Sequence, residues 1–307
     1  MTADSPIPFR PKRPPKRLAV VTCHFNPCGY EITRQNFLRF TAALDLQEVP
    51  WYAIELAFDD RPFALPERPE ILRRRTTHVL WHKERLLNVL IQHVPPRYDR
   101  IAWVDADVVF TNPRWSGHAE RLLDTVPVVQ LYEIAMHLDR NGDPVAFNPG
   151  VAMWARRGHP QVKRQGTAHT GFAWAARRSL LERHGLLDRA IAGGADFPIV
   201  RSMFGWFDGP AFAKFVQTRQ VSMTWAQNIH ADVKGQVGFV PGTVQHLWHG
   251  DKANRQYVER HQMFIDHGYD PDRDLRIGPD GLWEWTDANP ALEAAIRQYF
   301  LGRQEDG

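Results

Sequence analysis

"YDRIAWVDADVVFTNP", residues 98–113, passes from polar residues into an apolar run, Ile101, Ala102, Trp103 and Val104. It then sets Asp105 and Asp107 on either side of Ala106, ahead of Val108, Val109 and Phe110. An unbroken apolar run of this length reads as a strand buried on both faces, the kind found in parallel sheets. Alternation along an extended chain puts residues two apart on one face, so both carboxylates are expected to project toward one point beyond the strand. Two carboxylates crowded against apolar residues are costly without a counter-charge. The pair is therefore a candidate metal site.

Working outward, "RLAVVTCHFNP" reads as a first strand over 18–22 that enters a loop at Asn26, Pro27 and Gly29. "EITRQNFLRFTAAL" has helical spacing of Ile32, Phe37, Leu38, Phe40, Ala43 and Leu44. A strand follows at "WYAIELAF", and "THVLWHKERLLNVLIQHV" reads as a helix with Leu86, Leu87, Val89, Leu90 and Ile91 on its core side. The order strand, helix, strand, helix, strand predicts an α/β fold: a mostly parallel central sheet with helices on both faces. Ligands of such sheets lie beyond the carboxyl ends of the strands, where Asp105 and Asp107 fall. Downstream, "HAERLLDTVPVVQL" predicts a short helix and a strand. "HTGFAWAARRSLLERHGLLD" predicts a strand over 171–175 and a helix over 178–184 ended by Gly185, and a final helix is expected to begin near Ala253. Without an internal repeat or long linker, residues 18–300 read as one domain.

The 307 residues are 43% hydrophobic and 24% charged, ordinary for a globular chain, with a formal net charge of +3. Much of that excess lies in the Pro-rich "RPKRPPKR" at residues 10–17, so residues 1–17 are expected to form a disordered basic tail. The remainder is close to neutral, so no broad nucleic-acid-binding face is implied outside that tail. Two cysteines, Cys23 and Cys28, exclude a disulfide framework and a four-cysteine zinc site. There is no apolar run long enough to span a bilayer and no signal-peptide core, so a cytoplasmic location is the expectation.

Three islands in order, "DAD" at 105–107, "GGAD" at 193–196 and "HLWH" at 246–249, resemble the GT-A-fold glycosyltransferases. The stretch "HTGFAWAARRSLLERHGLLDRAIAGGAD" is similar to the acceptor-side half of inverting galactosyl- and N-acetylgalactosaminyltransferases. The resemblance implies a GT-A-like domain that moves a sugar from a nucleotide diphosphate donor, a uridine diphosphate sugar for choice, with inversion. It implies Mn²⁺, or Mg²⁺, held by Asp107 and His249, with Asp105 on the donor ribose or supporting the metal and His246 as a further ligand. Residues three apart face opposite sides of a strand, so His246 and His249 share a cation only where "HLWH" is bent or helical. Asp196 is implied to be the catalytic base, and Gly193 and Gly194 to allow close approach to the donor. Ala195 departs from the family, which often has a glutamate there against the donor sugar. Thr22, His24 and Asn26 are candidates for the nucleoside. Lys83, Arg85 and Asn88 are candidates for the nucleotide, Lys252 (with Asn254 and Arg255) for the diphosphate, and Trp248 for stacking on the sugar. The acceptor is open: a saccharide, a lipid-linked intermediate, a protein, a nucleobase or a small metabolite.

Other readings stay open at this point. An Asp-x-Asp after an apolar strand also marks Mg²⁺-dependent phosphatases of the haloacid dehalogenase type, although that motif normally opens its domain. A nucleotidyltransferase would share metal and nucleotide but would normally carry a Gly-rich phosphate loop, and "VVTCHFNPCGYE" has only Gly29. In "DGLWEWTD", Trp283 and Trp285 read as packing residues before acceptor contacts.

Overall fold

The computed structural model describes residues 16–159, 167–256 and 259–307. The expected tail at 1–15 lies outside these. Arg17 belongs to the folded part: its backbone N–H donates to Glu120 Oε1 at 3.0 Å and its guanidinium pairs with Asp99. In chain order the strands are β1 (Leu18–Phe25), β2 (Trp51–Phe58), β3 (Ile71–Thr76), β4 (Arg100–Val104), β5 (Val108–Phe110), β6 (Val128–Gln130), β7 (Ile134–Leu138), β8 (Pro144–Pro149), β9 (Ala173–Arg177), β10 (Val237–Phe239), β11 (Thr243–His246), β12 (Leu275–Ile277) and β13 (Trp283–Trp285).

Among the described residues the main sheet has the order β10-β6-β9-β4-β1-β2-β3, and all but β9 run parallel. Its faces separate by residue parity, as a period of two requires. Ala19, Val21, Ile101 and Trp103 join one core with the helices Lys83–Ile91, Asp196–Phe204 and Met223–Val233. Leu18, Val20, Ala102 and Val104 join the other, against Phe37, Phe40 and Leu44 of the helix Glu31–Leu46 and Trp115, Ala119 and Leu123 of the helix Trp115–Thr125. Helices therefore cover both faces, and the 101–104 run is buried throughout, at 0–4% exposure. The edge strand β3, "ILRRRT", escapes sequence reading because its arginines mask the pattern. Charges on an exposed edge also discourage pairing with another chain.

The expected helix over 77–94 begins only at Lys83. The Trp81 N–H donates to Ile191 O at 2.9 Å, which holds residues 77–82 out of the helix and seats the indole on the Gly193 backbone. No long helix starts near Ala253. There the chain makes the short 3₁₀ turns Lys252–Arg255 and Glu259–His261, and the last helix is Pro290–Leu301.

β2 and β4 flank β1 on opposite sides, so the chain reverses its direction of sheet growth at β1. A crevice opens between strand ends at such a switch point. Directly after β4, the chain turns at residues 105–107 and enters a second sheet, β5-β11-β7-β8. The antiparallel pairing of β11 with β5 puts His246 opposite Val108, one residue beyond Asp107. His246 is thereby carried to Asp107 from 139 positions away in sequence.

Candidate metal centre and cavity

The crevice is a cavity of about 530 Å³ whose wall includes Thr22, His24, Lys83, Asp105, Asp107 and Asp196. The two aspartates of "DAD" have separate partners, because residues 105–107 form a turn between two sheets, not the tip of a strand. The expectation that both carboxylates converge on one cation is corrected accordingly. Asp105 Oδ1 accepts from Lys83 Nζ at 2.7 Å, and the same ammonium lies 3.4 Å from Asp196 Oδ1 and 3.9 Å from Glu84. Asp107 Oδ2 lies 3.0 Å from His249 Nε2 and 3.7 Å from His246 Nε2, and the two imidazole nitrogens are 3.1 Å apart. Among the described residues, Asp107, His246 and His249 form the one group able to hold a metal ion, with ligand atoms within 4.8 Å of one another.

Both histidines reach this point because "HLWH" is bent. β11 ends at His246, and the Leu247 N–H donates to Asp107 O at 2.7 Å, turning the following residues back over the aspartate. His246 is further held by Phe172, whose ring stacks between His246 (4.5 Å, 15°) and His169 (3.8 Å, 25°). Phe172 adopts φ +75°, a conformation uncommon for a bulky residue and costly enough to require support from its surroundings.

The electrostatics follow the geometry. Burial alone would raise the Asp107 carboxyl, but His246, His249 and Arg255 together hold it well below the usual carboxylate range. Burial pushes His246 well below the usual imidazole value. For His249, burial and Arg255 push down, and Asp107 with its hydrogen bond reverses the outcome and raises it. Burial pushes Asp105 up to about 7 despite Lys83, and Glu84 up to about 8. The donor set, one carboxylate and two imidazoles, suits a borderline divalent ion such as Mn²⁺. The buried Asp107 Oδ1 has no hydrogen-bond partner, an orphan that a cation would satisfy. These residues fit a divalent metal.

The other candidate residues divide. Thr22, His24, Asn26, Gly194 and Lys252 line the cavity. Thr22 Oγ1 and His24 Nε2 are buried there without partners, whereas Asn26 is committed to its own loop through the N–H and C=O of Tyr30 at 3.0 and 2.7 Å. Gly193, at φ +81°, carries Trp81 and does not line the cavity. Of the helix Lys83–Ile91, Lys83 and Leu87 line the cavity. Arg85 bonds Gly281 O and Asp188, and Asn88 bonds the backbone of Leu186, so those two candidates are corrected to loop-fastening residues on the helix face turned away. Trp248 is also corrected: it lies outside this cavity, with the Arg140 guanidinium 5.1 Å from its ring centroid. Trp283 and Trp285 are core residues of β13. Asp196 opens the helix Asp196–Phe204 but makes no cap bond. Its carboxylate is aimed at Lys83 and packs against Gly171.

Several cavity residues escaped sequence reading: His137, Asn148, His169, Arg260, Arg303 and Glu305. None stands in a recognisable spacing with the motifs, since β7, β8 and the segment after the last helix reach the site only by packing.

No family model matches this sequence, and no curated protein matches it. Among solved structures, the catalytic domain of Drosophila β1,4-galactosyltransferase 7 in complex with xylobiose is similar at 15% identity and TM-score 0.35, over 62% of this chain and 63% of that one. A mutant of the same enzyme in complex with manganese, UDP-Gal and xylobiose is similar at 15% identity and TM-score 0.39, over 78% of this chain and 73% of that one. A glycosyltransferase involved in the glycosylation of the major capsid of PBCV-1 is similar at 12% identity and TM-score 0.33, over 80% and 98%.

Proposed function

We propose that this chain is a metal-dependent GT-A-type glycosyltransferase that moves a sugar from a uridine diphosphate sugar to an acceptor hydroxyl with inversion. The observation that carries the reading is the meeting of Asp107, His246, His249 and Asp196 in one cavity at the switch point of the sheet. Asp107, His246 and His249 would hold Mn²⁺ or Mg²⁺, and the metal, when bound, neutralises charge on the departing diphosphate. The unpartnered Thr22 and His24 at the end of β1 would receive the nucleoside, and Lys252 would face the diphosphate. Asp196 acts as general base. The acceptor oxygen bonds to the anomeric carbon as its proton passes to Asp196, and the bond from that carbon to the diphosphate oxygen breaks with its electron pair on the oxygen. Lys83 holds the Asp196 carboxylate in place from 3.4 Å.

The test is calorimetry with a panel of nucleotide sugars, with and without Mn²⁺, followed by assay of donor hydrolysis. One uridine diphosphate sugar is expected to bind only with metal. Asp107→Ala is expected to lose binding, and Asp196→Asn to keep it while turnover falls by about 10²- to 10⁴-fold. If no nucleotide sugar binds and Mg²⁺ instead supports cleavage of simple phosphate esters, the proposal is wrong and the phosphatase reading replaces it.

A further inference from the structure

Residues 303–306, "RQED", follow the helix Pro290–Leu301. They lie across the metal-fitting group. Glu305 is only 6% exposed, and its Oε1 lies 3.6 Å from His249 Nδ1, the ring nitrogen opposite the one that meets Asp107. A buried carboxylate needs partners. Arg303 supplies one through Nε at 2.7 Å and also donates to Tyr299 Oη at 3.0 Å. The segment is fastened at two further points. Asp306 receives the Glu31 and Ile32 N–H groups at 3.1 and 2.9 Å, capping a helix that has no cap side chain of its own. The Gln304 N–H donates to Tyr30 Oη at 3.1 Å. Directly after His249, Gly250 at φ +85° lets the two backbones touch: a Cβ there would lie 2.8 Å from Glu305 Cα.

Resting on the metal-dependent reading above, we infer that Glu305 is a positioning residue for the metal centre: it holds the His249 imidazole so that Nε2 faces Asp107, and the 303–306 strap exists to deliver it. An outer carboxylate on the far nitrogen of a ligating histidine fixes its orientation and tautomer and increases its basicity, and losing one typically weakens metal affinity by about 10- to 100-fold. Nothing in sequence proximity joins Glu305 to His249; the strap alone does.

The experiment measures Mn²⁺ affinity by calorimetry and by the paramagnetic resonance of bound Mn²⁺, with no sugar donor present, on the wild type, Glu305→Gln, Glu305→Asp, Asp306→Ala and His249→Ala. Thermal midpoints are recorded for each. Glu305→Gln is expected to weaken Mn²⁺ binding by about 10- to 100-fold and to alter the resonance of the bound ion. Glu305→Asp is expected to recover part of the affinity. Asp306→Ala, which unfastens the strap from the first helix but keeps the carboxylate, is expected to lose less affinity than Glu305→Gln. If Glu305→Gln binds as the wild type does while His249→Ala does not, the role of Glu305 is refuted and the metal centre stands. If Asp306→Ala and Glu305→Gln lose affinity equally and in step with their thermal midpoints, the strap is structural only and the inference falls. A wild type that binds no Mn²⁺ overturns the metal-dependent reading and this inference together.

Discussion

Lys83 shows how much the meaning of one side chain depends on its neighbours. By sequence it is a cation on a charged helix face; in the structure its side chain is 10% exposed and its ammonium serves Asp105, Asp196 and Glu84 at once. Burial acts against its charge, and the three carboxyls more than reverse that, holding its pKa well above the ordinary lysine value. Lys83→Met should strand those acids without a counter-charge. Breaking a buried pair in this way costs about 3–5 kcal/mol. The loss should be larger near pH 8 than near pH 5, because Asp105 and Glu84, which burial already pushes up, escape part of the cost by taking up protons. Urea unfolding of the metal-free variant at both values measures this, and a loss independent of pH would contradict the account. Asp107, His249 and Asp196 were legible as candidates because their motifs are local. The pairing of Asp105 with Lys83 was not, since it joins two elements that meet only in the folded sheet.

Among the elements, the second sheet does most to build the site. β5 carries the chain out of the "DAD" turn, β11 returns His246 beside it, and β7 and β8 add His137 and Asn148 to the cavity wall. These strands are three to six residues long and weakly patterned, below what period-two reading separates from loop. The strongly apolar or clearly periodic elements were legible: β1, β2, β4 and the helices Glu31–Leu46 and Arg178–His184 follow their apolar spacing, and Gly185 at φ +63° ends the last of them as expected. A test at this level is Gly250→Ala. The substitution forces an L side chain into φ +85° and against the Glu305 backbone, so it should destabilise by about 1–3 kcal/mol and weaken Mn²⁺ binding by displacing the strap from His249. A variant with unchanged thermal midpoint and metal affinity would show that the crossing at Gly250 has slack.

The molecule as a whole buries an unusual set of neutral imidazoles. Burial pushes His24, His82 and His137 down to about 4, and His169 and His261 down to about 3. With folded values below the unfolded one, the unfolded chain binds more protons between about pH 6.5 and 4. Stability tied to these rings is intact above that window and lost as pH falls through it. Asp105 and Glu84, pushed up to about 7 and about 8, act in the opposite sense: their contribution is intact below about pH 4 and lost as pH rises toward 8. Five groups outweigh two on the acid side, so stability of the metal-free protein should peak near neutrality, fall steeply toward about pH 5 and decline gently toward about pH 8.5. Urea midpoints across that range, with EDTA present, would reveal it; a flat acid limb would mean that these rings are not held neutral.

The sequence by itself determined the alternation of strands and helices, the two-faced burial of β4, and three islands whose residue types suit metal and proton chemistry. All of these are encoded in neighbours a few positions apart. Only the tertiary structure decided that Asp105 and Asp107 part company, that Arg85, Asn88 and Trp248 turn away, that "HLWH" bends to bring both histidines to one carboxylate, and that Glu305 arrives behind His249. The physical reason is that a side chain's charge state and direction are set by the elements packed against it. Those contacts are fixed by strand order and register, which no local pattern carries.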